Sequence, residues 1–174
     1  MTAFIIISLF LLSCNSEPNI TSFKIKNPYL ANKKDVKENI SVTIEQGEGG
    51  GEERNINRWR GQIGLPLNNL ESIIKTEYQN PFLGKYFLYD LVNTVNDKAI
   101  LAAIIPQDNQ TIFVKMNTSS RSINDRQYEF NLFCQSLYFD QNQKIVGNSP
   151  SNWIQKEPIA FSVLYYEIKD LDED

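Results

Sequence analysis

The sequence predicts one α+β domain, a mostly antiparallel sheet flanked by helices. Several segments alternate polar and apolar residues, as half-buried strands do, and two others repeat apolar residues at helical spacing. Strand-like and helix-like segments are grouped along the chain instead of alternating one by one, which favours an antiparallel sheet over a parallel one. A chain of 174 residues is long enough to bury a substantial core as one domain.

The chain opens with an apolar segment typical of a signal peptide. Residues 3–12 contain a single polar residue, Ser8. This segment is too short for a membrane-spanning helix, which needs roughly 20 residues, but it suits the core of a signal peptide. It ends in Leu11-Leu12-Ser13-Cys14, which resembles the bacterial lipobox. The resemblance implies a lipoprotein signal peptide at residues 1–14, with Cys14 as the lipidation site that carries an acyl chain such as palmitate.

The predicted signal peptide determines how we expect the rest of the chain to be organised. Met1-Thr2-Ala3 has no Lys or Arg, although signal peptides usually begin with one. A start codon placed too late would explain their absence. The alternative interpretation of the apolar segment is a buried hydrophobic N-terminal strand. Residues 15–20 are predicted to be a tether, residues 21–169 the domain and residues 170–174 an acidic tail. We therefore expect a protein held by lipid in the bacterial cell envelope, on the periplasmic face of a membrane.

The first half of the domain predicts two strands and a turn. Ser22–Lys26 and Ile40–Ile44 both alternate polar and apolar residues, and the second is rich in β-branched side chains. The next segment, residues 47–51, has four glycines in five positions and predicts a turn of unusual backbone angles. We expect at least one of Gly49, Gly50 and Gly51 to have a positive φ.

A helix is predicted directly after this turn. Three apolar residues recur at helical spacing and should face the core: Ile56, Trp59 and Ile63. The helix should end at Gly64, which Pro66 follows. A second short helix is predicted from Asn68, with Glu71 completing a capping box. Its inward-facing residues would be Leu70, Ile73 and Ile74.

The second half predicts an antiparallel meander of three strands over residues 86–92, 99–105 and 111–116. A helix over residues 122–137 and a last strand over residues 160–168 complete the domain. The helix carries an apolar stripe that should lie across the sheet, formed by Ile123, Phe130, Phe133, Cys134 and Leu137. Cys134 is thus expected to be a buried, inert thiol, and acylation of Cys14 would leave it without a disulfide partner.

One stretch is specific enough to carry a family resemblance. Residues 47–66 read Gly-Glu-Gly-Gly-Gly-Glu-Glu-Arg-Asn-Ile-Asn-Arg-Trp-Arg-Gly-Gln-Ile-Gly-Leu-Pro. They resemble a group of uncharacterised bacterial exported proteins, in which a glycine-rich turn leads into an Asn-x-Asn-Arg-Trp-Arg-Gly-Gln-x-Gly-Leu-Pro helix. The resemblance extends over residues 20–139 and includes Ile105-Pro106 and Ser136-Leu137-Tyr138-Phe139. The group is similar to PsbP-like domains, which implies an α/β/α sandwich and an envelope location but no activity.

Two features depart from this group. The glycine-rich turn is acidic here, with carboxylates at Glu48, Glu52 and Glu53. Residues 150–163, which contain Trp153 and Phe161, resemble a segment that such domains carry before their first strand. Because this segment follows the last helix here, we expect it to supply a strand missing at the N-terminus.

The composition limits the possible functions. The chain has no histidine, which excludes Ser-His-Asp and Cys-His catalysis and His-containing zinc sites. The net charge of −4 disfavours binding to nucleic acid. The acidic tail lacks the spacing of a calcium loop. We expect no metal and no cofactor, and we favour a non-catalytic protein over an enzyme.

The candidate site is the polar face of the helix after the glycine-rich turn. Asn55, Arg58 and Gln62 recur at helical spacing beside the apolar face. They could bond the turn and nearby strand ends, which is the role we favour, and we expect Arg58 to be held by local hydrogen bonds rather than free for a substrate. The alternative is a recognition surface for a partner, since Arg and Trp dominate interface hot spots. The amides of Gly49 and Gly50 could hold an anion, although the surrounding glutamates would repel a phosphate.

These observations leave two functions open. The first is a membrane-anchored, non-catalytic lipoprotein that binds another envelope protein or assists an assembly. The second is an enzyme or small-ligand binder that uses Asn55, Arg58 and Glu53 around the glycine-rich turn. A deep pocket lined by those residues would favour the second function, and a flat or filled surface would favour the first.

Overall fold

The computed structural model describes residues 37–169. The predicted signal peptide with Cys14, the predicted tether, the predicted strand at Ser22–Lys26 and the acidic residues 170–174 lie outside these residues. The helices are α1 (Glu52–Gln62) and α2 (Ile123–Ser136), with a 3₁₀ turn at Leu70–Ser72. The strands are β1 (Asn39–Gln46), β2 (Thr76–Asn80), β3 (Gly84–Asn93), β4 (Lys98–Pro106), β5 (Gln110–Thr118), β6 (Tyr138–Phe139), β7 (Ile145–Val146), β8 (Trp153–Lys156) and β9 (Ser162–Ile168).

The α+β class is confirmed. Within residues 37–169, seven strands form one antiparallel sheet in the order β2-β3-β4-β5-β1-β9-β8, and β6 pairs with β7 in a separate hairpin. The meander predicted from the sequence is β3-β4-β5. Neither helix in this part of the chain is long and apolar enough to cross a bilayer.

The two helices pack on opposite faces of the sheet. Alternate side chains of β4 point to opposite faces: Leu101 and Ala103 belong to the core under α2, whereas Ile100 and Ala102 belong to the core under α1. Both faces of the central strands are therefore buried, which explains why residues 99–105 are a continuous apolar run instead of an alternating one.

Helix α2 matches its prediction closely. The predicted stripe of five apolar residues is buried against the sheet. Cys134 is a free thiol with no exposed surface, and burial raises its pKa well above the usual range. A thiol that is both inaccessible and protonated is inert.

The short helix predicted from Asn68 is wrong. The segment forms only a 3₁₀ turn, and Asn69, not Asn68, accepts the hydrogen bond from the Ser72 amide at 3.1 Å. The backbone of Asn68 is held instead by the side chain of Asn57, which donates to its carbonyl and accepts from its amide, both at 2.8 Å. Ile74 is 88% exposed rather than turned inward.

Two buried asparagines cap the helix C-termini. Asn80 donates to the carbonyls of Cys134 and Leu137 at the end of α2, at 2.7 and 2.9 Å. Asn93 donates to the carbonyls of Ile63 and Gly64 just after α1, at 2.8 and 3.3 Å. Each side-chain oxygen also accepts hydrogen bonds from two backbone amides of the turn that follows it. These contacts satisfy carbonyls that a helix end leaves unpaired, and they tie both helices to the sheet.

The glycine-rich turn between β1 and α1 has the expected backbone. Gly49, Gly50 and Gly51 have φ of +58°, +86° and +84°, so the prediction of a positive φ is confirmed. Gly49 is also close-packed, because a Cβ placed there would lie 2.5 Å from the Phe113 ring. Gly47 has the same φ of +58° but nothing within 4 Å of its Cβ position.

This pair of glycines gives a matched test. We expect Gly47→Ala to lower the free energy of unfolding by about 1 kcal/mol, the cost of left-handed backbone for an L-residue. Gly49→Ala should cost about 2–4 kcal/mol, because it adds overpacking against Phe113 to the same backbone strain. Urea denaturation of both variants measures the difference. Equal losses would contradict the close packing of Gly49 against Phe113.

Candidate functional site

Helix α1 is oriented by its apolar face. Trp59 is 3% exposed, and its ring makes an edge-to-face contact with Phe113, with centroids 6.0 Å apart. Ile56 and Ile63 are buried beside it. This confirms Trp59 as a core residue and leaves Arg58 and Gln62 exposed along the neighbouring face of α1.

Asn55 lies near the start of α1 and bonds the glycine-rich turn. It is 3% exposed, and its amide nitrogen donates to the carbonyls of Gly49 and Gly51, both at 2.8 Å. Its carbonyl oxygen accepts a hydrogen bond from Arg58 Nη2 at 2.7 Å. All of these contacts are internal, so Asn55 holds the turn against the helix and positions Arg58.

Two amides of the glycine-rich turn, those of Gly49 and Gly51, are also used internally. Gly49 donates to the carbonyl of Gln46 at 3.2 Å, and Gly51 donates to the carbonyl of Glu48 at 3.0 Å. A depression of about 370 Å³ lies beside Gly49 and Gly50, and it is lined otherwise by Glu45, Arg54, Asn55 and Arg58. It has none of the aromatic or aliphatic walls of a typical small-ligand pocket. Glu53 does not reach it and lines a separate depression with Asn57.

A second groove, of about 220 Å³, lies between α1 and the sheet, and we call it the α1 groove. Its lining residues come from α1, from β1 and β5, and from the turn that precedes β9. They are Ser41, Thr43, Glu45, Arg58, Trp59, Gln62, Phe113, Lys115, Ile159, Ala160, Phe161 and Ser162. The groove thus contains Arg58 and Gln62 of the predicted site but not Asn55.

Lys115 is the second cation of the α1 groove. It is half-buried, and its Nζ donates to Gln62 Oε1 at 3.0 Å. Burial, and next the positive charge of Arg58, lower the pKa of Lys115. Among residues 37–169 no carboxylate lies within 4.0 Å of the charged nitrogens of Arg58 or Lys115. The groove therefore holds two neighbouring cations that form no ion pair with a described carboxylate, although Glu45 also lines it.

An apolar turn forms one wall of the α1 groove. Ile159 is 52% exposed and Phe161 89% exposed. Ser162 closes the turn, because its amide and hydroxyl both donate to the Ile159 carbonyl, at 2.9 and 2.7 Å. Ala160 has a φ of +50°, an unfavourable conformation for alanine. Because of this turn, the last strand begins at Ser162 and not at residue 160 as predicted.

Sequence reasoning missed the cation and the apolar wall of the α1 groove. Lys115 lies in the predicted strand of residues 111–116, and Phe161 lies in the segment of residues 150–163. Neither pattern predicts that the two side chains line one groove. The single signal was that Lys115 is a charged residue inside the otherwise apolar run Ile112–Met116. Residues 150–163 do supply an edge strand, β8, although Trp153 is buried under α2 and not near the groove.

Comparison of the chain with protein-family models, curated proteins and solved structures gives no significant match. Among residues 37–169, no group of three or more His, Cys, Asp or Glu side chains is placed to hold a metal ion.

Lys115 gives a test that separates function from stability. We expect Lys115→Met to leave the free energy of unfolding unchanged or to raise it, because it removes a half-buried cation beside Arg58. The lowered pKa means that the native state holds this proton less tightly than the unfolded state. Any gain should therefore shrink as the pH approaches 10.5, the ordinary lysine value, where the cation is lost from both states.

Urea denaturation at pH 7 and pH 10 measures this effect, with Lys98→Met at an exposed position as the control. The control should stay within about 0.5 kcal/mol of the parent protein at both values. A loss above about 1 kcal/mol in Lys115→Met would instead make Lys115 part of the folding framework.

Proposed function

We propose that this chain is a non-catalytic, lipid-anchored protein of the bacterial cell envelope, with a PsbP-like α/β/α fold, that binds another protein through the α1 groove. The observation that carries the proposal is the combination of two cations, Arg58 and Lys115, which have no carboxylate of residues 37–169 within 4.0 Å, with the exposed apolar wall at Ile159 and Phe161. Exposed aromatic side chains beside arginine are typical of binding hot spots.

The fold arrangement supports the PsbP-like part of the proposal. A seven-stranded antiparallel sheet has one helix on each face, which is the layering expected of such a sandwich. The glycine-rich turn and α1, where the family resemblance is strongest, contribute Arg58 and Gln62 to the groove. The segment most typical of the family thus lies next to the proposed binding surface.

The non-catalytic part of the proposal is supported by the reactive side chains, which are buried or already hydrogen-bonded within the domain. Cys134 and Tyr86 have no exposed surface, and burial raises the pKa of both. Asn55, which the enzyme hypothesis needs as a site residue, is fully occupied by the glycine-rich turn and Arg58. The depression beside Gly49 and Gly50, at about 370 Å³, has the volume of a small ligand pocket, but it has no apolar wall and Glu53 does not line it.

The lipid anchor is proposed from the sequence, at Cys14. Mass spectrometry of the mature N-terminus, purified from membranes of the producing bacterium, tests it. We expect an N-terminal Cys14 that carries acyl chains. An intact Met1, or a Cys14 without acyl chains, would refute the anchor without affecting the α1 groove.

Protein binding is tested by affinity capture with the full chain from detergent-solubilised envelope. We expect Arg58→Ala to lose a captured protein that the parent chain retains, and Arg58→Lys to lose part of it, because lysine cannot reproduce the forked contacts of a guanidinium. Both variants should keep their stability within about 1 kcal/mol, since Arg58 is exposed and donates a single recorded hydrogen bond. Unchanged capture by both variants, or a large loss of stability in both, would contradict a binding role for Arg58.

A further inference from the structure

We propose that the partner of the α1 groove is an extended peptide segment that places an Asp or Glu carboxylate between Arg58 and Lys115 and a large apolar side chain against Ile159 and Phe161. This inference rests on the proposed function and specifies the chemistry of the partner.

The two cations of the α1 groove lack an ion-pair partner among residues 37–169. The described domain pairs many of its cations with carboxylates, as in Lys75 with Glu52 at 2.8 Å and Arg126 with Glu38 at 2.7 Å. Arg58 and Lys115 lie together in one groove with no carboxylate within 4.0 Å in residues 37–169. An incoming carboxylate would supply the missing charge, and the Arg58 guanidinium can bind it through two parallel hydrogen bonds.

The α1 groove favours a singly charged carboxylate over a phosphate. Glu45 also lines the α1 groove, and its carboxylate would repel a doubly charged group more strongly than a singly charged one. Hydroxyl groups of Ser41, Thr43 and Ser162 line the same groove, and a hydroxyl can donate to a carboxylate oxygen or accept from a peptide amide.

The apolar wall of the α1 groove is held in an exposed position. Ile159 and Phe161 are exposed by a turn that the Ser162 hydroxyl closes through two hydrogen bonds, one donated to the Ile159 carbonyl at 2.7 Å and one accepted from the Ile159 amide at 2.9 Å. A turn held in this way presents its apolar side chains without a large loss of conformational freedom on binding. A peptide side chain of matching apolar character would bury both residues.

The α1 groove suits a peptide side chain better than an anionic membrane surface. Lys115 is half-buried in the groove and does not protrude from the surface. A single inserted side chain could therefore contact it more easily than a flat layer of lipid headgroups could. The cations of the α1 groove are therefore suited to a small inserted group.

The experiment is selection from a random dodecapeptide display library on the full chain in detergent. We expect the selected peptides to share an acidic residue within a few positions of Phe, Trp, Leu or Ile. In the best peptide, replacing the acid by its amide should weaken binding about 10-fold, an amount that corresponds to about 1.4 kcal/mol. The same replacement should have little effect on binding to the double variant Arg58→Ala plus Lys115→Met.

A variant on the apolar wall provides the second arm. Phe161→Ser should weaken binding of the parent peptide while preserving the preference for the acid over its amide. Because Phe161 is 89% exposed, this change leaves the core intact, and circular dichroism of each variant confirms folding. Peptides selected without acids, or an acid preference that persists in the double variant, would overturn the proposal.

The remaining outcomes separate this inference from the proposed function. If Arg58→Ala loses a captured envelope protein but the library gives no acidic preference, the binding function stands and the partner chemistry is wrong. If phosphatidylglycerol in detergent micelles binds in a manner that requires Arg58 and Lys115 while no peptide binds, the groove is a lipid site and the peptide proposal fails.

Discussion

Trp59→Ala is expected to lower the free energy of unfolding by about 3–5 kcal/mol, the usual cost of removing a buried tryptophan side chain. Trp59 is 3% exposed and lies between α1 and the sheet, where its ring contacts Phe113. The two neighbouring core residues of α1, Ile56 and Ile63, cannot fill the volume because they are already packed in the same cluster. Urea denaturation followed by circular dichroism measures the loss.

The matched control is Tyr128→Ala on α2, where the aromatic ring is 71% exposed. This change should alter the free energy of unfolding by no more than about 0.5 kcal/mol. A Trp59→Ala variant as stable as this control would mean that α1 is not packed through Trp59. The orientation of Arg58 and Gln62 toward the α1 groove would then also be wrong.

Arg126→Met is expected to lower the free energy of unfolding by about 3–5 kcal/mol, the cost of leaving a buried charge without its partner. Arg126 Nε donates to Glu38 Oε2 at 2.7 Å, and the Arg126 and Glu38 side chains are only 15% and 10% exposed. The other oxygen of Glu38 accepts a hydrogen bond from Thr118. This network joins the residue before β1 to β5 and α2.

Two further variants identify the source of that loss. Lys85→Met breaks a pair with Glu77 in which both side chains are 56% exposed, and such a pair contributes less than about 1 kcal/mol. Adding Glu38→Gln to Arg126→Met should recover part of the stability, because the amide carries no charge to leave unpaired. If Arg126→Met costs no more than Lys85→Met, the Glu38–Arg126 pair does not contribute as a buried ion pair.

The fold could be predicted from the sequence where burial leaves a clear pattern. Ile40–Ile44 alternates because one strand face is more buried than the other, and Ala99–Ile105 is uniformly apolar because helices cover both faces of β4. Strand β2, Thr76–Asn80, could not be recognised, since it is an edge strand with three exposed residues among five and no apolar periodicity. The capping roles of Asn80 and Asn93 were equally hidden, because they depend on helix ends far away along the chain.

The candidate site could be predicted only in part, for a similar reason. Arg58 and Gln62 belong to one helix, so their spacing alone placed them on one face. Lys115 and Phe161 join them because β1 pairs with β5 on one side and with β9 on the other. Strand order and register are set by long-range packing, which no local pattern contains. Asn55 has the same spacing as Arg58 but is buried in the turn, a difference that periodicity does not reveal.

The most direct test of the central claim is site-specific photo-crosslinking in intact cells that produce the full chain. A photoreactive residue at Gln62 lies in the α1 groove, and one at Tyr128 lies on the opposite side of the sheet. We expect a discrete crosslinked protein from position 62 and not from position 128, with the crosslink lost when Arg58→Ala is added. No crosslink from position 62, or an equal yield of the same product from both positions, would contradict a binding surface in the α1 groove.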